Sequence, residues 1–80
     1  MSIAARVRAF ITSNFYVADQ SALAESDSLL DKGIVDSTGV LEIVAFLEKE
    51  FGMAVDDSEI LPENLDSIAN IAAYVGRKQG

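Results

Sequence analysis

Ile3, Val7, Phe10 and Ile11 stand at i, i+4, i+7 and i+8, one face of an amphipathic helix. Ser2 ahead of them is a favoured N-cap, so the pattern predicts a first helix from about Ser2 to Asn14. From Phe15 to Asp36 no helical period persists, and the sparse apolar residues are Phe15, Tyr16, Val17, Leu23, Leu29 and Leu30. A connection of this length is unusual in a compact domain unless it serves a function, and Leu29 and Leu30 are expected to pin its end to the core. Helix two is predicted to open at Ser37 behind the cap residue Asp36 and to run to about Phe51. Val40, Val44, Leu47 and Phe51 form its apolar stripe, flanked by Leu41 and Ile43, while Glu42, Ala45 and Lys49 fall opposite. Phe46 lies off that stripe and is either partly exposed or packed on a neighbouring element. Gly52 is a natural residue to end the helix.

The segment from Met53 to Asn64 holds Asp56, Asp57 and Glu59, followed by Ile60-Leu61-Pro62, and is expected to contain one short helix before Pro62. Leu65, Asp66 and Ser67 then read as a staple residue and capping residues. Ile68, Ile71, Ala72 and Val75 repeat at helical spacing, which predicts a last helix from about Ser67 to Lys78, with Arg77 and Lys78 where cations suit the helix dipole. Strand-like alternation and internal repeats are absent from the sequence. The expected fold is all-α, a small bundle of three main helices plus one short helix with a long first loop, forming one domain over residues 1–80. Val7, Ile11, Leu41, Val44, Leu47, Ile68, Ile71 and Val75 read as its core, and Tyr16 and Tyr74 as core-edge residues with their hydroxyls in water.

Composition narrows the function classes. The 80 residues contain no Cys and no His, which removes the usual transition-metal ligands and the residues on which most nucleophilic and general-base chemistry near neutral pH depends. No catalytic residue and no metal site is expected. Thirteen acidic residues against six basic ones give a formal charge of −7, which repels nucleic acid and anionic membranes and favours basic protein surfaces. No apolar run approaches the roughly 20 residues of a membrane span, and the first residues lack a signal-peptide pattern, so a soluble cytoplasmic protein is expected. The acids do not form the alternating ligand loop of a calcium sensor.

The informative segment is Gly33-Ile34-Val35-Asp36-Ser37-Thr38-Gly39, directly ahead of the helix-two stripe. Taken alone, Asp36-Ser37 is an ordinary helix cap. A serine at a helix start also sits beside unpaired backbone N–H groups and the positive end of the dipole, where a phosphate on its hydroxyl is favourably placed. With the Gly ahead of the Asp-Ser pair, the helix order, the long first loop and the Tyr74-bearing last helix, the chain resembles the acyl and peptidyl carrier proteins over essentially its whole length. That resemblance implies a 4′-phosphopantetheine arm, supplied from coenzyme A and covalently attached to Ser37, with Asp36 recognised by the phosphopantetheinyl transferase and its metal ion. It further implies a non-catalytic, monomeric carrier that holds acyl or aminoacyl groups as thioesters, as in fatty acid biosynthesis and other branches of metabolism. The partners it implies are loading ligases, acyltransferases and synthases with basic patches.

Fatty-acid carriers usually place Leu and then an acid after the serine, whereas Thr38 and Gly39 stand here, so the motif looks closer to stand-alone D-alanyl, aminoacyl and peptidyl carriers. Thr38, Glu42 and Glu48 match positions offered to partner enzymes, and Asp56, Asp57 and Glu59 would extend that surface past helix two. The bland reading of these acids is a solvated face. The alternative from another class is an unmodified acidic helical adaptor that binds a basic partner. The cargo is not written in these residues.

Overall fold

In the computed structural model, which describes residues 2–79, helix α1 spans Ile3–Asn14 and helix α2 spans Ser37–Phe51. Ser2 caps α1 by accepting from the Ala5 amide at 3.1 Å. Gly52 ends α2 in the left-handed region at φ 62°, a conformation a side chain would strain. A 3-10 turn at Asp57–Glu59 supplies the short element expected before Pro62. A further helical turn, α3, begins at Pro62 itself and spans Pro62–Leu65, since a proline at the first helical position loses no intrahelical bond. Helix α4, Ile68–Gln79, starts behind Ser67, whose hydroxyl accepts from the Asn70 amide at 3.0 Å.

Three contacts fix α1 against α2 in antiparallel register. Phe15 lies against Gly39, Phe10 stacks on Phe46 with ring centroids 4.1 Å apart, and Arg6 pairs with Glu50. The off-stripe Phe46 therefore packs on a neighbouring helix. At the other end Gln79 donates to the Phe51 carbonyl at 2.8 Å, so α2 and α4 finish together. The centre is formed by Val7 and Ile11 of α1, Ile43 and Leu47 of α2, and Ile68, Ile71 and Val75 of α4, each at most 1% exposed. Burying one such side chain stabilises the fold by about 1.5–3 kcal/mol. Truncating Leu47 to Ala would cost about 2–5 kcal/mol, because this centre has little freedom to collapse.

Three expectations about apolar residues need correction. Leu41 is 60% exposed, because the buried face of α2 runs through Gly39, Ile43 and Leu47 and puts Leu41 on the outside. Leu29 pins the long connection, at 1% exposure, but Leu30 beside it is 40% exposed. Tyr16, at 85% exposure, lies outside the core edge altogether.

The connection from α1 to α2 contains one 3-10 turn, Gln20–Ala22, and is held by polar contacts at both ends. Arg8 of α1 donates to the Leu23 carbonyl at 2.8 Å. Asp66, between α3 and α4, takes the Ser28 hydroxyl at 2.5 Å and the Leu30 amide at 2.9 Å on its carboxylate, and the Leu29 amide at 2.7 Å on its carbonyl. Among the described residues, no helix is long and apolar enough to cross a membrane.

Candidate functional site

Ser37 is the first residue of α2, and Asp36 is its N-cap. The Asp36 backbone is extended, and its Oδ1 accepts from the Gly39 amide at 2.7 Å while its carbonyl accepts from Val40 at 3.0 Å. These bonds satisfy two of the donors that open the helix. The Ser37 and Thr38 amides have no partner among the described residues, so two free donors and the positive end of the helix dipole meet at the head of α2, beside the Asp36 carboxylate. Ser37 and Thr38 are exposed, and the first turn carries no acidic side chain.

The chemistry of this end suits a phosphodiester on the Ser37 hydroxyl. The oxygen is accessible, the nearest unpaired backbone groups are donors, and the Asp36 carboxylate is engaged with a backbone N–H, which lessens its repulsion toward an anion. Below Ser37 on the same face of α2 follow the exposed Leu41 and Glu48.

The other acids divide between solvent and structure. Glu42 borders an open groove of about 480 Å³ with Phe10, Phe46 and Lys49. Glu48 is exposed, and its Oε2 also accepts from the Val55 amide at 3.0 Å, which ties down the chain after α2. Asp56 and Asp57 are exposed and follow α2, a helix of 15 residues and so about 22 Å long, past the end opposite Ser37 in sequence.

Glu59 is committed to the fold. It accepts from the Tyr74 hydroxyl at 2.9 Å, from Lys78 Nζ at 3.0 Å and from the Asp56 amide at 3.3 Å. The Lys78 hydrogen bond first, and the Tyr74 hydroxyl second, hold its carboxyl below the usual range. The expected solvated hydroxyl of Tyr74 is thus corrected, since the residue is 2% exposed and its oxygen is spent on Glu59. Burial, then that hydrogen bond, pushes the phenol up to about 12.

Phe15 and Gly39, named in the sequence only as a loop residue and a departure from the fatty-acid motif, meet and seat the start of α2 on α1. A glycine inside a helical first turn was the available signal, because an uncompensated glycine weakens a helix and calls for a packing reason.

A small helical bundle with an exposed serine at the positive end of a helix has the form of a display domain of the carrier-protein class. Residues 5–75 match the family described as the phosphopantetheine attachment site, and the chain belongs to that family. It is 31% identical over 78 residues to an acyl carrier protein of Thermotoga maritima, a match covering 98% of this chain and 93% of that one. It is 33% identical over 79 residues to an acyl carrier protein of Akkermansia muciniphila, covering 99% and 95%. A D-alanyl carrier protein of Abiotrophia defectiva is 33% identical over 51 residues, covering 64% of this chain and 65% of that one. The protein is a carrier that works through a covalently attached 4′-phosphopantetheine arm. The unmodified adaptor is not favoured.

Proposed function

We propose that Ser37 bears the arm and that the chain is a non-catalytic, cytoplasmic carrier, acting as a monomer and delivering acyl or aminoacyl groups to partner enzymes. The observation that carries this reading is the exposed Ser37 hydroxyl beside the unpaired amides of Ser37 and Thr38 at the head of α2. A phosphopantetheinyl transferase joins the Ser37 oxygen to the pantetheine-side phosphorus of coenzyme A, with departure of adenosine 3′,5′-bisphosphate and transfer of the hydroxyl proton to the transferase. Once attached, the arm supplies a terminal thiol that carries cargo as a thioester. The chain's own residues place that attachment point. Asp36 fixes the first turn, and the free amides favour the phosphodiester charge.

Thr38, Glu42, Glu48, Asp56 and Asp57 are assigned to partner recognition, with Asp36 and Thr38 read by the transferase at the head of the helix. Glu59 contributes to the same negative field while its Oε1 accepts from Tyr74 and Lys78. Exposed charges of this kind act on association rate and salt dependence more than on the lifetime of a complex. The partners are the transferase, loading ligases and acyl-transferring synthases with basic patches.

Intact mass spectrometry after incubation with a transferase and coenzyme A tests the assignment. Wild type is expected to gain one phosphopantetheine, and Ser37→Ala none. A wild type that stays unmodified with several transferases, or a Ser37→Ala variant that is modified, would overturn it.

A further inference from the structure

The chain from Ser28 to Val35 folds back on itself directly ahead of Asp36. The Leu29 carbonyl accepts from the Ile34 and Val35 amides at 3.0 and 3.2 Å, the Ser28 carbonyl from Lys32 at 3.1 Å and the Leu30 carbonyl from Gly33 at 3.0 Å. The Ser28 hydroxyl accepts from the Asp31 amide at 3.1 Å while it donates to Asp66 Oδ2 at 2.5 Å. Among the described residues, the hydrogen bonds that tie this turn to another part of the chain all end on Asp66, whose carboxylate also takes the Leu30 amide and whose carbonyl takes the Leu29 amide. Leu29 and Val35 are buried, but apolar burial is non-directional and leaves the orientation of the turn to these bonds. Val35 is the outlet. Its amide is held by Leu29, its Cγ1 lies 3.0 Å from where a Cβ on Gly39 would stand, and Asp36 and Ser37 follow directly. Asp36 thus ties Ser37 to its own helix, while Asp66 ties the chain entering that helix to the junction of α3 and α4.

Resting on the reading that Ser37 bears the arm, we infer that Asp66, acting through Ser28 and the Leu29 turn, is a positioning residue for arm attachment. It sets where the Ser37 oxygen stands once the transferase has docked. A reacting atom misplaced by about 1 Å loses on the order of a hundred-fold in rate, so a turn freed to rock costs the attachment step more than it costs docking. This separates positioning from plain stability. A variant that is only less stable presents less folded substrate, which raises the apparent KM and leaves kcat at saturation unchanged. A variant that misplaces the oxygen docks normally and turns over slowly, so its loss falls on kcat.

The test is steady-state attachment of the arm from coenzyme A by one transferase, read by intact mass, with the concentration of this protein varied. Asp66→Ala and Ser28→Ala are each expected to lower kcat about ten-fold or more and to leave KM within about two-fold of wild type. Should Asp66→Ala not fold, Ser28→Ala carries the comparison. Asp66→Asn keeps one acceptor oxygen and is expected to recover part of kcat. Ile71→Val removes a methylene from the core without touching these bonds, and its kcat is expected to equal that of wild type. The backbone amide resonances of Ser37 and Thr38 are expected to move in Asp66→Ala and to stay in place in Ile71→Val. A wild type that gains no mass overturns the attachment reading itself. Attachment at the wild-type kcat in the Asp66 and Ser28 variants, or a loss confined to KM, overturns the positioning role alone.

Discussion

Replacing Asp36 separates its capping of α2 from the transferase recognition proposed for the same carboxylate. Its Oδ1 receives the Gly39 amide at 2.7 Å, a short bond from a charged acceptor to a buried glycine. Losing an N-cap of this type costs about 0.5–2 kcal/mol. The short distance and the buried donor place Asp36→Ala in the upper half of that range, about 1.5 kcal/mol. For a domain of this size that corresponds to a fall in Tm of roughly 6–12 °C. Asp36→Asn keeps a capping oxygen and loses only the interaction of the charge with the helix dipole, about 0.5 kcal/mol. Urea titrations of wild type and both variants, with unchanged m values, give the differences directly. The same three proteins assayed for arm attachment separate cap from recognition. If the transferase reads the charge, Asp36→Asn is modified slowly although it is nearly as stable as wild type. Equal stability of Asp36→Ala and wild type would refute the cap, and full modification of Asp36→Asn would refute the recognition role.

Three further outcomes are expected. Gly39→Ala places a methyl against Phe15 and Val35, and an overpacking cost of about 1–3 kcal/mol exceeds the helix-propensity gain of under about 1 kcal/mol, so urea denaturation should show a net loss near 1 kcal/mol. The Tyr74 phenol is raised from 10.0 to about 12 in the folded state, so its contribution to stability is complete below pH 10 and is lost as pH climbs through 12. Tm measured across that window should therefore fall more steeply for wild type than for Tyr74→Phe. Glu42→Lys and Asp57→Lys should each lower kcat/KM for modification by a basic transferase several-fold at low salt, and the gap should narrow as ionic strength rises.

Helix boundaries were legible wherever a residue type has one local job. Asp36 and Gly52 bracket α2 as expected, because a carboxylate cap and a left-handed glycine act within a turn of where they stand. The buried face of α2 was read a few tens of degrees out of place. Gly39 lies at its centre yet has no side chain to enter an apolar count, so the stripe drifted toward Val40 and Val44 and drew in the exposed Leu41. Partners far apart along the chain were not legible at all. Tyr74 and Glu59 are 15 residues apart, and Ser28 and Asp66 are 38 apart; no spacing rule links such pairs. One short helix is expected before Pro62, and the second, α3, which Pro62 itself opens, was not foreseen. The Asp36 cap and the helix start at Ser37 were visible in a short run of sequence, whereas the Phe15 contact with Gly39 depends on how α1 packs on α2.

The bonds from Asp66 to Ser28, Leu29 and Leu30 bear on how the domain withstands handling. A carrier dragged between enzymes by one side chain at a helix head feels the pull on the strand of chain leading into that helix. Here the segment that leads into α2 is held to the junction of α3 and α4 by the bonds of Ser28, Leu29 and Leu30 to Asp66. An arm on Ser37, as proposed, would then swing from a point fixed to the body of the domain, which narrows the volume its tip has to search.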